Sequence, residues 1–272
     1  MAPSGRRGSG TASSSTRARA PPRSSRESAA CIGSRVCPVR RPYRPQSSRP
    51  YHLGIVSRRD LRKVRVGRRR GLLDYRELGR SGLQVSAFGL GVMTFGGQTP
   101  EADALRQLDM AFEAGVTLFD TAENYPTPTG PETQGRSEEV IGRWFAARGL
   151  RDKVVVATKV AGPGNAAGDM THIRGAQRRL DRANIRAACE ASLHRLGTDH
   201  IDLYQLHWPE RAVTTLGRSR YSRVPDAPEQ VAIEETLAAL GELVAEGKVR
   251  AIGVCNESPW GVMRFLAEAE RA

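Results

Sequence analysis

The sequence predicts an α/β fold built on a parallel sheet, in the form of a (β/α)8 TIM barrel. Three observations lead there. From Leu73 onward, short apolar runs alternate five times with amphipathic helical patterns, the mark of successive βα units. The runs are continuous rather than alternating with polar residues, as strands covered on both faces read. Polar residues able to do chemistry stand at the ends of successive runs, and a barrel keeps its chemistry at the C-terminal ends of its strands. The competing architecture, an open doubly wound dinucleotide-binding sheet, would carry G-x-G-x-x-G between its first strand and helix. The glycines of "GLGVMTFGG" have other spacings.

Each element has its own signal. "DYRELGRSGLQVS" reads as two short strands around a turn at Arg80–Gly82, and "AFGLGVM" as a buried strand. Thr99 and Pro100 are placed as N-cap and first residue of a helix with Leu105, Leu108 and Phe112 on its apolar face, ended by Gly115. "VTLFD" is the second parallel strand. Ser137 is expected to cap the next helix, with Glu138 and Glu139 suited to its positive end. "KVVVATKV" is the third strand. A helix from about Asp181 to Leu196 puts Ile185, Cys189, Ser192, Leu193 and Leu196 on one face, before Gly197. Strand "IDLYQLH", a helix carrying Ile233, Leu237, Leu240 and Val244, strand "VRAIGVCN" and a helix starting near Ser258–Pro259 follow.

Charge divides the chain in two. The formal net charge is +13, yet residues 1–72 alone hold 18 Arg and one Lys against Glu27 and Asp60, a net of +17. Residues 73–272 hold 23 basic and 27 acidic residues, a net of −4. A nucleic-acid footprint needs a basic face on a folded domain, so a nucleic-acid partner is not expected. Residues 1–72, rich in Arg, Ser and Pro, bury too little apolar surface to offset chain entropy and are expected to be a disordered leader. A leader without its own function, with a start site placed upstream, is the favoured reading; organelle targeting suits the Arg and Ser content but its amphipathic helix is spoiled by the prolines and glycines, and a polyanion-binding tail is physically possible. The four cysteines, Cys31, Cys37, Cys189 and Cys255, show no zinc or CxxC spacing, so no metal is expected and a reducing cytoplasm is the default. No apolar run reaches transmembrane length, and a membrane partner is not expected.

Four polar groups stand at or just beyond strand ends: Asp120, Tyr125, Lys159 and His207. Singly, each has an ordinary reading as a helix cap, a packed aromatic, a snorkelling lysine or a core histidine. At successive strand ends of one barrel they can converge, and together they suit carbonyl reduction. A developing alkoxide needs a proton donor, which Tyr125 can be, and a neighbouring Lys159 is expected to lower the phenol's pKa. Asp120 would hold the ammonium in place. His207 could orient the carbonyl oxygen. The hydride must come from a cofactor.

In order and spacing, "GLGVMTFGGQ", "LFDTAENY", "SEEVIGRWF", "VVVATKV", "SLHRLGTDHIDLYQLHWP" and "GKVRAIGVCNE" resemble the aldo-keto reductases, in particular the branch with bacterial reductases and potassium-channel β subunits. The resemblance spans residues 73–272. It implies a barrel with a hairpin plugging its bottom, an NADPH cofactor, a small carbonyl substrate, and a catalytic tetrad of Asp120, Tyr125, Lys159 and His207. It also implies cofactor contacts at Val92, Met93, Gln98, Asp120, Cys255 and Asn256, with Trp208 at the substrate mouth. The family usually has Ser at the position of Cys255 and often Thr at that of Val92. The family's barrel has eight strands; the motifs here cover the first five βα units, so the chain is expected to be C-terminally truncated. Two functions are in view: an NADPH-dependent aldehyde or ketone reductase, and a non-catalytic NADPH-binding regulatory subunit or inactive fragment. The intact tetrad favours the first. The stretch between Pro209 and Glu229 is expected to shape the substrate mouth.

Overall fold

The computed structural model describes residues 73–163, 170–175, 178–213 and 230–271. The leader, with Cys31 and Cys37, and residues 214–229 of the expected rim stretch lie outside the described residues.

Two antiparallel strands come first, β1 (Tyr75–Glu77) and β2 (Gln84–Ser86), pairing Tyr75 with Ser86 and Glu77 with Gln84. Gly79 and Gly82 take positive φ in the turn between them, where a Cβ would be strained. Then β3 (Gly89–Gly91), α1 (Glu101–Glu113), β4 (Leu118–Asp120), α2 (Arg136–Arg148), β5 (Val155–Val160), α3 (Arg182–Leu196), β6 (Ile201–Leu206), α4 (Ile233–Ala245), β7 (Val249–Val254) and α5 (Pro259–Ala269) alternate strand and helix. Strands β3-β4-β5-β6-β7 form one parallel sheet in sequence order. That order is the one successive βα units of a barrel lay down.

Alternation along the strands separates two apolar layers. Phe119, Val156, Tyr204 and Ile252 join Leu108, Trp144, Leu193, Leu240 and Phe265 from the helices in the main core. Trp144 meets Phe119 edge-on at 5.5 Å between ring centroids. On the opposite face, Val155 and Ala251, with Leu118 and Leu203 beside them, pack against Leu83 and Val85. The hairpin and its approach therefore cover the N-terminal half of the sheet's other face.

The helix ends show where local signals held. Asp181 accepts from Asn184 N at 2.8 Å to cap α3, and Gly197 closes it in the left-handed region at φ 62°. Ser258 caps α5, accepting from Gly261 N at 3.1 Å, with Pro259 at its first position. Three expectations need correction. Thr99 does not cap α1: its hydroxyl bonds Thr94 Oγ1 at 2.8 Å, and Pro100 occupies the cap position without a side-chain bond. Ser137 lies inside α2 and donates to Phe95 O at 2.8 Å, while Gly135 at φ 84° is the cap residue. "AFGLGVM" yields a three-residue edge strand with only Leu90 half-buried, because an edge strand of glycines has little to bury; Val92, just after it, is the fully buried residue.

Candidate active site

The inward-facing positions of β4 to β7 change from apolar to polar toward the strands' C-terminal ends. Register places Lys159 beside Gln205 and Gln205 beside Gly253. Lys159 is buried, with its side chain 4% exposed, and this desolvation is offset by two partners. Its Nζ donates to Asp120 Oδ2 at 2.7 Å and to Thr121 O at 2.6 Å. Gln205 Nε2 reaches the other Asp120 oxygen at 3.4 Å. Tyr125, half-buried, lies in the loop after β4, with the Lys159 ammonium 5.1 Å from its ring centroid. The Tyr125 and His207 rings meet edge-on at 5.5 Å. The structure thus brings Asp120, Tyr125, Lys159 and His207 into one group.

Electrostatics corrects one expectation. The Tyr125 phenol is pushed well above its ordinary pKa, by burial first and then by the Asp120 carboxylate, with a further contribution from Cys255. The expected lowering by Lys159 does not occur. That ammonium is bonded to Asp120 and Thr121 and sits over the ring face. Burial and the Lys159 charge push His207 down to about 3, so its imidazole is neutral at pH 7. His207 Nδ1 is buried without a hydrogen-bond partner among the described residues, as are Thr121 Oγ1 and Asn124 Oδ1.

The other expected site residues fall into two sets. Trp208 stacks beside His207 at 4.5 Å between centroids and is anchored by its Nε1 donating to Pro163 O at 3.0 Å. Asn256, at φ 54°, donates from Nδ2 to His207 O at 2.8 Å and to Cys255 Sγ at 3.4 Å. Cys255 is half-buried, and burial raises its thiol pKa. Val92 and Met93 connect to the site through backbone and Gln98 through its side chain: Val92 N donates to Asp120 O at 2.9 Å, Thr127 N to Met93 O at 2.9 Å, and Gln98 Nε2 to Thr127 O at 2.9 Å. Val92 is fully buried in the core, and its N–H and C=O are both taken up within the protein, by Asp120 O and Phe95 N. Met93 is 46% exposed.

Sequence reasoning passed over Gln205, Glu123 and Arg174. Gln205 had a signal, a polar residue at the inward parity of "IDLYQLH". Glu123 stands inside "LFDTAENY" but reads as an ordinary loop acid. Arg174 lies in a loop with no pattern to mark it. Among the described residues no cluster of His, Cys, Asp or Glu could hold a metal ion, and no helix is long and apolar enough to cross a membrane.

Residues 87–271 match the sequence profile of the aldo/keto reductase family. The chain is 48% identical over 199 residues to Protein tas of Escherichia coli, covering 73% of this chain and 56% of that protein. It is 38% identical over 204 residues to the uncharacterized oxidoreductase YrpG of Bacillus subtilis, covering 73% of this chain and 54% of the relative. Among solved structures it is similar to the holo form of aldo-keto reductase AKR11C1 from Bacillus halodurans, with a TM-score of 0.52 and 33% identity over 71% of this chain and 54% of that one. The chain spans about half the length of the relatives it matches. On the family profile and these relatives together, the chain belongs to the aldo/keto reductase family.

Proposed function

We propose that the protein reduces aldehydes or ketones to alcohols in the cytoplasm with NADPH, Tyr125 being the proton donor. One observation carries this reading: the Lys159–Asp120 ion pair lies against the Tyr125 ring, and neutral His207 meets that ring edge-on. A purely binding role gives no reason to bury a lysine beside a protonated phenol.

The residues present fit a nicotinamide. Its carboxamide offers a donor and an acceptor. Asn256, whose Nδ2 is bonded to His207 O, keeps its Oδ1 as an acceptor, and the Cys255 thiol is a weak donor. Buried polar atoms of Thr121, Asn124 and His207 lie without partners among the described residues at the same rim. When bound, NADPH supplies the hydride to the carbonyl carbon.

The chain's own groups handle the oxygen. His207, neutral at pH 7, can present an N–H to the carbonyl oxygen and orient it. Tyr125, held protonated by its raised pKa, donates its proton as charge develops on that oxygen, and the alkoxide is the stronger base. Asp120 holds the Lys159 ammonium in place against the face of the Tyr125 ring. Trp208, stacked on His207, limits the room beside the carbonyl.

The test is aldehyde-dependent loss of NADPH absorbance. Tyr125→Phe is expected to lower kcat by about 10²- to 10⁴-fold while NADPH affinity stays within about twofold. Turnover near the parent's would remove Tyr125 from the mechanism.

A further inference from the structure

We propose that Glu123 and Arg174 are positioning residues, an ion-paired clamp that fixes the loop carrying Tyr125 against the strand end carrying Lys159. The inference rests on the reductase reading above, and neither residue has a part in that mechanism.

Glu123 lies two residues before Tyr125 and is buried, its side chain 2% exposed. One carboxylate oxygen accepts from Ala161 N, two residues beyond Lys159, and the other accepts from Arg174 Nη1. Arg174 Nη2 then donates to Ala161 O at 2.9 Å, so the pair takes up both backbone groups of Ala161. Arg174 Nε donates to Asn184 Oδ1 at 3.0 Å, and Asn184 N is the donor to the Asp181 cap of α3. The arginine therefore joins three pieces: the Tyr125 loop, the end of β5 and the start of α3. It does so from the left-handed region, φ 49°, uncommon for a residue with a side chain.

Bonds to main-chain oxygens complete the clamp. Glu123 N donates to Lys159 O at 3.2 Å, Gln134 Nε2 to Glu123 O at 3.0 Å, and Gly135 N to Tyr125 O at 2.8 Å. A buried ion pair is weak evidence for stability, because an apolar pair of the same volume often does as well. Its effect here is geometric. Tyr125 and Lys159 come from different elements, and their relative position decides whether the cation lies beneath the ring. Only a planar fork spans Glu123, Ala161 and Asn184 together, which Lys cannot do.

The experiment compares Arg174→Lys and Glu123→Gln with Arg182→Ala, which removes an exposed pair with Glu242. Both clamp variants are expected to lower kcat by about 10- to 100-fold, with NADPH Kd within about twofold. Arg182→Ala is expected to change neither. In a Tyr125→Phe background, measured by single turnover, Arg174→Lys is expected to add little further loss, because the group it positions is gone. Unchanged kcat, a matching loss of NADPH affinity, or losses that multiply with Tyr125→Phe would overturn the proposal. Amide hydrogen exchange decides without any activity. Faster exchange at Ala161 and Tyr125 in Arg174→Lys, with β6 and β7 unchanged, supports the clamp, and unchanged exchange there refutes it. Absence of carbonyl reduction by the parent protein would refute the reductase reading and leave this exchange result to judge the clamp.

Discussion

The two ends of the parallel sheet differ in how completely they pair their buried polar groups. At the N-terminal end Asp202, its side chain 1% exposed, accepts from Val156 N at 2.9 Å and pairs with Arg151 at 2.8 Å and Arg250 at 2.7 Å. Arg151 in turn donates to Thr198 Oγ1 at 2.9 Å and His200 O at 2.8 Å. Below the same strands, Leu83 and Val85 close the inward face with apolar contacts. At the C-terminal end three buried atoms, on Thr121, Asn124 and His207, have no partner among the described residues. An unsatisfied buried polar group costs about 1–3 kcal/mol, so that end is less stable than it could be. One end is tied together by satisfied charge pairs, and the other leaves polar atoms unpaired around the candidate site, as the fold's division of labour leads one to expect.

The difference can be tested at several sites. Asp202→Ala should have the largest effect on stability, about 3 kcal/mol in urea denaturation, because it leaves the half-buried Arg151 without its counter-charge. The folded fraction should retain its turnover within about twofold. Leu83→Ala should cost about 2–4 kcal/mol through the cavity it leaves under the sheet, again without a change in kcat.

The rim has a pH signature of its own. His207 has a folded-state pKa near 3 against an ordinary 6.5, so the unfolded chain binds the proton first as pH falls. Its contribution is complete above about pH 6.5 and is lost on acidification toward 3, at of order 1 kcal/mol per pH unit. Stability measured from neutral pH downward should therefore flatten in His207→Phe relative to the parent. An identical slope in the two proteins would show that His207 is not held neutral. Cys255→Ser should have the smallest effect. A hydroxyl donates better than a thiol, and NADPH affinity should rise by about two- to fivefold. A weaker Kd would mean the thiol's bulk matters more than its donor strength.

Much of this was legible in the sequence where one residue decides one local feature. Asp181 and Gly197 bounded α3, Ser258 and Pro259 started α5, and the placing of Asp120 and Lys159 at successive strand ends let them converge. Thr99 and Ser137 misled because a hydroxyl near a helix start has several acceptors and donors within reach. The partners that won, Thr94 Oγ1 and Phe95 O, lie in the turn after β3. The direction of the Tyr125 shift was also out of reach. It depends on burial and on which face of the ring the ammonium meets, and spacing encodes neither. The Glu123–Arg174 pair spans 51 positions with no periodicity between them.

The division between the two ends is tested most directly by measuring melting temperature and aldehyde-dependent NADPH oxidation together on Tyr125→Phe and Asp202→Ala. The account predicts a crossed result. Tyr125→Phe should lose about 10²-fold or more in kcat with Tm nearly unchanged, and Asp202→Ala should lose Tm with kcat nearly unchanged. If the two quantities fall together in both variants, the ends of the sheet are not separate in function and the account is wrong.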